Sequence, residues 1–318
     1  MLRSIEIEDL RGIKSGRLSE MTEMNIIVGP NNSGKSTILD AINLGVSPEP
    51  MKAFGELLSR RSVLEIGNWV VRRSVRDEPI LAAIEVVTSG GFRKTEILRL
   101  PPEPASDGTP LKLRWLQQLE DGTKVYATTP PRLDDVAVVR QIDPKADQAQ
   151  LAELFTRTSE VGLLKQAKEF IRAVIPDLED IQILSQKNQP VLYLLFPRVV
   201  HPIKLAGDGI VLLVKLVFEL ATTSGGIALL EEPETHLHPA AMGQAAKALH
   251  EATKRGVQVV LTTHSLDLID RLLAEFQGSD LAKLSVFRVQ LNGGELQSYR
   301  LTGQEALRSR SDIEDDLR

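Results

Sequence analysis

Nine consecutive residues near the start of the chain have the types and spacing of a phosphate-binding loop. Residues 29–37 read Gly-Pro-Asn-Asn-Ser-Gly-Lys-Ser-Thr. The glycines let backbone N–H groups turn toward phosphate oxygens, the lysine adds a positive charge for the β and γ phosphates, and the first hydroxyl after it suits Mg²⁺. The motif predicts binding of a nucleoside triphosphate. The predicted nucleotide-binding residues are Gly29, Asn31, Asn32, Ser33, Gly34, Lys35, Ser36 and Thr37.

Two further blocks place carboxylate and imidazole groups at the ends of apolar runs. Residues 226–234 begin as a buried parallel strand would, and this strand ends at Glu231 and Glu232. Neighbouring strand residues point in opposite directions, so one carboxylate can hold Mg²⁺ while the other orients or deprotonates the attacking water. Residues 257–265 repeat the pattern and bring His264 to a strand end, within reach of a γ phosphate.

Parallel strands are needed to bring these groups together. The run Met24–Val28 before the loop predicts a strand, and residues 37–44 after it predict a helix ended by Gly45. The positive N-terminal end of that helix would lie under the nucleotide. Ligands of open α/β sheets bind at the carboxyl ends of the strands, so we expect an α/β fold of the P-loop NTPase class with all three blocks at one edge.

Length and composition are those of an ordinary globular protein. The chain has 318 residues, 25% of them charged and 42% hydrophobic, enough for one large domain or two. No run approaches the roughly 18 apolar residues of a membrane span and no signal peptide is evident, so we expect a cytoplasmic protein without a membrane partner. Cysteine is absent, which excludes disulfides and thiol chemistry, and a net charge of −5 argues against a strongly electrostatic nucleic-acid binder.

The order of the motifs resembles the ABC-class ATPases of the RecF/SMC and OLD (overcoming lysogenization defect) group. After the phosphate-binding loop come Leu-Ala-Gly-Asp-Gly-Ile at 205–210, Leu-Leu-Glu-Glu-Pro-Glu-Thr-His-Leu-His-Pro at 229–239 and Thr-Thr-His-Ser at 262–265. The opening Leu-Arg-Gly-Ile at 10–13 is similar to that group too. The resemblance implies an ABC-type ATPase head with a mixed sheet core, ATP as substrate and Mg²⁺ as cofactor.

The resemblance also implies a role for the residues at the predicted edge. Ser36 and Glu231 would hold the Mg²⁺ ion, and Glu232 would be the catalytic base. His264 would be the switch histidine that senses the γ phosphate. Arg11 matches a basic residue that the group places near the nucleotide.

A second set of residues would act across a homodimer. The signature motif, which completes the partner subunit's site, would be Gly207, Asp208 and Gly209, and His238-Pro239 would fall in a loop at the dimer interface. Asp208 departs from the usual serine, and a phosphate would repel its charge unless that charge is turned toward the helix it caps. The family's glutamine loop has two candidates, Gln141 and Gln117.

The motifs cluster toward the two ends of the chain, which suggests an insertion between them. The predicted divisions are 1–50 and 201–302 for an ATP-binding core, 51–146 for a β-rich part and 147–200 for a helical part of an inserted lobe, and 303–318 for a polar tail. The densest basic region comprises Arg60, Arg61, Arg72, Arg73 and Arg76. Acidic residues interspersed among them favour a solvated helix face over a DNA contact.

The predicted function is Mg²⁺-dependent ATP hydrolysis by a head that dimerises around ATP and switches a separate effector protein or a DNA complex, as in phage defence or DNA repair. OLD nucleases carry a Toprim nuclease domain after the ATPase, and fewer than about sixty residues follow His264, too few for such a domain. Any effector would therefore be a separate protein, and DNA is a further candidate partner. Three alternatives stay open: the ATP-binding subunit of a membrane transporter, a nucleotide-gated binding module with little turnover, and a nuclease site in the middle lobe.

Overall fold

A computed structural model describes residues 1–59, 80–99, 111–118, 122–142, 148–235 and 237–312. The basic region at residues 60–76 and the imidazole of His236 lie outside these ranges. Where the chain is described, it forms fifteen strands in two sheets and eight α-helices. None of the described helices is long and apolar enough to cross a membrane.

The strands, in chain order, are β1 (Leu2–Leu10), β2 (Ile13–Leu18), β3 (Met24–Val28), β4 (Ile80–Thr88), β5 (Gly91–Arg99), β6 (Leu111–Gln118), β7 (Lys124–Ala127), β8 (Val139–Ile142), β9 (Asp180–Gln186), β10 (Gln189–Phe196), β11 (Val199–Pro202), β12 (Ile227–Glu231), β13 (Gln258–Thr262), β14 (Leu284–Asn292) and β15 (Glu295–Thr302). The helices are α1 (Lys35–Val46), α2 (Pro50–Ser59), α3 (Gln148–Glu160), α4 (Leu164–Arg172), α5 (Asp208–Thr222), α6 (Pro239–Lys254), α7 (Leu266–Glu275) and α8 (Gly303–Asp312).

Twelve strands form one mixed sheet in the order β7-β6-β5-β4-β1-β2-β15-β14-β3-β13-β12-β8. The strands from β14 to β8 in this order are parallel, whereas β1 pairs antiparallel with β2 and β4. The parallel strands β3 and β13 are buried along their whole length, because helices cover both faces of the sheet there. The carboxyl ends of β3, β12 and β13 therefore meet at one edge, as expected from the sequence.

Helix α1 packs on one face of this sheet in a core shared with β1, β4 and β5. Helices α5, α6 and α7 pack in a second core on the other face.

The buried guanidinium of Arg93, on β5, fixes the end of α1. It donates hydrogen bonds to the carbonyls of Gly45, Ser47 and Pro131, the last two at 2.8 and 3.2 Å. Burial lowers the pKa of Arg93 to about 10, so the group stays charged at neutral pH.

The region expected to be an inserted lobe is less separate than the sequence suggested. Strands β4–β7 extend the large sheet from β1, and β8 joins it beside β12, so this β-rich part is continuous with the core sheet. The part expected to be helical has α3 and α4, but it also contains the three-stranded sheet β11-β10-β9. The expected polar tail begins with α8. The domain boundaries themselves stay a prediction.

Candidate nucleotide-binding site

The phosphate-binding loop joins β3 to α1, as the motif requires. A Cβ atom on Gly29 would lie 2.2 Å from the carbonyl oxygen of Val289 on β14, so only glycine fits where the loop leaves the sheet. Gly34 has φ 89° and caps α1, in the left-handed region that favours glycine. Asn32 also has a positive φ, 62°, which asparagine tolerates better than most residues. The backbone therefore explains why these residue types recur at this spacing.

Lys35 lies inside this loop with 6% of its surface exposed. Its Nζ donates hydrogen bonds of 2.9 Å to the carbonyl oxygens of Gly29 and Pro30. Burial lowers the pKa of Lys35, while the carboxylates of Glu232, Glu231 and Glu234 act in the opposite direction. The cation thus lies between the loop and a cluster of carboxylates, where its charge is available to phosphate oxygens.

Ser36 and Glu231 are in direct contact, since the Ser36 hydroxyl donates a short hydrogen bond to Glu231 Oε1. A hydroxyl and a carboxylate are the oxygen ligands that Mg²⁺ prefers, usually together with substrate phosphates. The described residues contain no group of three or more His, Cys, Asp or Glu side chains that could hold a metal. The pair fits a magnesium ion that takes its remaining ligands from a nucleotide and water.

Glu232 and His264 form a second pair at the same edge. His264 Nε2 lies 3.3 Å from Glu232 Oε1, with 32% and 43% of their side chains exposed. The Glu232 N–H donates to the Thr262 carbonyl oxygen at 3.0 Å, and Glu232 has φ 45°, unusual for a residue other than glycine. Such strain persists only where surrounding contacts over-determine it, and it is concentrated at functional sites.

Glu234 belongs to this site as well, although the sequence motifs gave it no role there. Its Oε1 accepts hydrogen bonds from the Thr263 hydroxyl at 2.6 Å and the His264 N–H at 2.9 Å. Only a weak signal in the sequence pointed to this role. Glu234 is the third carboxylate of the Glu-Glu-Pro-Glu block, and the next strand along the chain, β13, ends in polar residues.

Arg11 lies between β1 and β2 with φ 51°, and it forms an ion pair with Asp40 of α1. Its side chain is 11% exposed and is held against the helix that follows the phosphate-binding loop.

Gln141 lies on β8 beside β12, and its Oε1 accepts a hydrogen bond of 3.3 Å from Asn43 of α1. Gln117 lies on β6, near the other end of the strand order. Of the two candidates, Gln141 contacts the helix that follows the phosphate-binding loop, near the C-terminal end of that helix, and its role stays a prediction.

The signature segment forms the start of α5. Gly207 is the N-cap residue, its carbonyl accepts from the N–H groups of Ile210 and Val211, and a Cβ atom on it would meet no atom within 4 Å. Asp208 is the first residue of the helix, so its carboxylate faces the positive end of the helix dipole. Among the described residues, no hydrogen bond or ion pair links Gly207, Asp208 or Gly209 to the phosphate-binding loop.

His238, expected near a dimer interface, is the N-cap residue of α6. Its Nδ1 accepts a hydrogen bond of 3.3 Å from the Ala240 N–H, and Pro239 takes the first helical position, where the missing N–H costs nothing. The residue is exposed at this helix start.

The chain is similar to one known protein family and to two known proteins. The family described as "AAA domain, putative AbiEii toxin, Type IV TA system" matches residues 24–270. The chain is 33% identical over 72 residues to the DNA double-strand break repair Rad50 ATPase of Methanopyrus kandleri, a match that spans 22% of this chain and 8% of that protein. It is 21% identical over 210 residues to the uncharacterized protein MJECL10 of Methanocaldococcus jannaschii, spanning 61% of this chain and 95% of that one.

Similar solved structures include heads of SMC proteins. An SMC head bound to the C-winged helix domain of ScpA aligns with a TM-score of 0.56 and 14% identity, over 96% of this chain and 99% of that one. A second SMC head, with an extended coiled coil and bound to a ScpA domain from Pyrococcus furiosus, aligns with a TM-score of 0.54 and 14% identity over 99% of both chains. The predicted fold, an ABC-type P-loop ATPase head with a mixed sheet, is confirmed.

Proposed function

The chain belongs to this AAA domain family, and we propose that it binds and hydrolyses ATP at the sheet edge where Lys35, Ser36, Glu231, Glu232 and His264 lie. One observation carries the proposal. The Glu232–His264 pair and the Ser36–Glu231 contact lie at the ends of neighbouring parallel strands, beside a complete phosphate-binding loop. A cation, a Mg²⁺-binding pair and a carboxylate with an imidazole beside it are the groups that phosphoanhydride hydrolysis needs.

Each residue has a defined task in this proposal. Lys35 and the loop N–H groups bind the β and γ phosphates, and Ser36 with Glu231 would hold a magnesium ion that neutralises developing charge on the phosphate oxygens. Glu232 accepts the proton of the water that attacks the γ phosphorus, and the bond to ADP breaks as phosphate forms. His264 lies 3.3 Å from Glu232, which it would orient, and it would also sense the γ phosphate.

We also propose that two copies of the chain enclose ATP, with residues 207–209 of one copy completing the site of the other. The space beside Gly207 supports this, because a Cβ atom added to it would meet no atom of the described residues within 4 Å. The ATP cycle would then switch a separate effector protein or a DNA complex, in a role of the phage-defence or DNA-repair kind. The partial match to a Rad50 ATPase supports the DNA-related role, and assignment to the OLD group rests on the motif order alone.

Replacement of the loop lysine tests the proposed substrate site. Lys35→Ala should weaken ATP binding about 100-fold or more and abolish turnover, because the β and γ phosphates lose their main cation. Lys52→Ala is the matched control, since that lysine is 70% exposed on α2. ATP affinity by titration calorimetry and phosphate release with Mg²⁺ measure both effects, and an unchanged affinity in Lys35→Ala would contradict the proposal.

An ATPase assay with duplex DNA distinguishes the two proposed kinds of partner, a DNA complex and a protein effector. The steady-state ATPase rate should rise when DNA is added if the chain switches a DNA complex, because the bound partner stabilises the hydrolysis-competent state. A rate that is indifferent to DNA supports control by a protein effector instead. Measurement at two salt concentrations, with polyglutamate as a polyanion control, distinguishes DNA binding from a general charge effect.

A further inference from the structure

A single carboxylate oxygen organises the loop that follows β13. Glu234 Oε1 accepts hydrogen bonds from the Thr263 hydroxyl at 2.6 Å and from the His264 N–H at 2.9 Å. The Thr263 hydroxyl oxygen in turn accepts from the Ser265 N–H at 2.9 Å. Thr263 is completely buried, whereas Glu234, His264 and Ser265 are half-buried. Hydrogen bonds to an ionised carboxylate are stronger than those between neutral groups. The backbone of three consecutive residues is therefore ordered around Glu234.

Glu234 is also held close to Glu232 by the turn that follows β12. The Thr235 N–H donates to the Glu232 carbonyl oxygen at 3.0 Å, which closes a turn over Pro233, and the Glu232 N–H donates to the Thr262 carbonyl oxygen at 3.0 Å. The turn therefore contacts the β13 end twice, once through the Glu232 backbone and once through the Glu234 side chain. These two connections join the segments that carry Glu232 and His264, and His264 Nε2 lies 3.3 Å from Glu232 Oε1.

We propose that Glu234 is a positioning residue that acts through His264, holding the imidazole beside the catalytic carboxylate of Glu232. The inference rests on the proposed ATPase function, since it concerns the same site. Glu234 makes no direct contact with the reacting atoms in this account. It fixes the backbone from which His264 extends, and geometry at such a pair affects rate strongly because a displacement of about 1 Å can reduce turnover about 100-fold.

The two oxygens of Glu234 differ, and this difference provides a conservative variant. Oε2 is buried and accepts no hydrogen bond from any described residue, whereas Oε1 accepts two. Glu234→Gln keeps an oxygen at the Oε1 position, and its amide N–H groups replace an atom that accepts nothing. Glu234→Ala removes both. The proposal therefore expects glutamine to preserve the position of His264 and alanine to lose it, although the buried amide lowers the melting temperature of the glutamine variant.

A double-mutant cycle with His264→Ala tests whether Glu234 acts through His264. In the wild-type background, Glu234→Ala should lower kcat about 10- to 100-fold while the ATP dissociation constant changes less than about threefold. In the His264→Ala background, Glu234→Ala should lower kcat no further. Glu234→Gln should stay within about threefold of wild type, as should Glu169→Ala, an exposed glutamate on α4.

Two kinetic results would overturn the proposal: an equal loss of kcat from Glu234→Ala in both backgrounds, or a glutamine variant as slow as the alanine variant. Glu234→Asp, whose shorter side chain withdraws the oxygen from the His264 N–H, replaces alanine in the cycle if the alanine variant does not fold. A structural role alone would lower ATP affinity and melting temperature together with kcat, and that result also contradicts the proposal.

NMR signals of the histidine imidazoles test the positioning role of Glu234 independently of ATP hydrolysis. The chain has five histidines, and the His264 signals are assigned by their loss in His264→Ala. Glu234→Ala should shift the His264 ring signals, and Glu234→Gln should leave them at their wild-type positions. Unchanged signals in Glu234→Ala would overturn the positioning role even if ATP is hydrolysed. A wild-type chain without ATPase activity would contradict the proposed function, while the spectra still test the positioning.

Discussion

At the scale of single residues, local motifs predict which side chains lie at the site, but they miss contacts made across the fold. Glu231, Glu232 and His264 follow the ends of two apolar runs, and Lys35 and Ser36 follow the glycine-containing loop at the end of a third. The sequence alone therefore predicts that they meet at one sheet edge. The structure places them together there, and their chemical roles stay predictions. The Glu234 contact to His264 bridges thirty residues of chain. No local pattern encodes such a pairing, because it depends on the register between β12 and β13.

The pKa of Lys35 gives a prediction on pH. Burial lowers that pKa below 10.5, so the ammonium loses its proton at a lower pH than an exposed lysine does. Phosphate binding needs the protonated form. ATP affinity should therefore be constant near neutral pH. As the pH rises, the affinity should begin to fall before pH 10.5 is reached, by about tenfold per pH unit above the pKa of Lys35. Dissociation constants from pH 7 to 10.5 measure this, and the weak residual binding of Lys35→Ala should not follow the same curve. A constant wild-type affinity up to pH 10.5 would contradict the prediction.

At the scale of elements, periodicity predicts strands and helices better than it predicts which strands pair. The run Met24–Val28 and residues 37–44, predicted as a strand and a helix, form β3 and most of α1, and the strand predicted to end at Glu231 forms β12. The continuity of β4–β7 with the core sheet was missed. Antiparallel pairing of β1 with β4 joins segments about eighty residues apart, and the alternation within each strand does not identify its partner.

Arg93 provides a test of how β5 holds α1. Arg93→Ala leaves the carbonyls of Gly45, Ser47 and Pro131 without their donors in a buried place, so the free energy of unfolding should fall by roughly 3 kcal/mol or more. Lys94→Ala on the same strand is the control, and its effect should be below about 1 kcal/mol because its ion pair with Glu8 is partly exposed. Denaturant unfolding of the three proteins measures both. Equal stability of Arg93→Ala and wild type would show that α1 is held by apolar packing alone.

At the scale of the whole molecule, the fold class of an ABC-type head is confirmed, and the dimer remains a proposal about how two heads work together. No hydrogen bond or ion pair joins the signature segment to the phosphate-binding loop within the described residues, and a second copy is the proposed source of the missing half of each site. Sequence reasoning reached this arrangement only through the motif order, because a chain's own periodicity carries no information about a symmetric partner.

Gly207 allows the dimer to be disrupted with little effect on the fold of the monomer. Gly207 has φ −61° and ψ 151°, a conformation open to any residue, and a Cβ atom there would meet no atom within 4 Å. Gly207→Leu should fold, with a melting temperature lowered only by the less favourable N-cap residue, yet with ATP it should remain a monomer of 35.1 kDa where the parent protein doubles in mass. The parent for this comparison is Glu232→Gln, which retains ATP. Gly55→Leu, at another glycine that faces open space, is the matched control. Light scattering gives the masses, and a dimer that survives Gly207→Leu would contradict the proposed interface.

The most direct test of the account is the ATP hydrolysis rate of Glu232→Gln, measured together with its ATP affinity. The variant keeps the shape of the side chain and removes its ability to accept a proton. We expect hydrolysis to be about 100-fold slower or more, with a dissociation constant for ATP within about threefold of wild type. Glu169→Gln should match wild type in both. Hydrolysis by Glu232→Gln at the wild-type rate would contradict the claim that this edge of the sheet is the catalytic site.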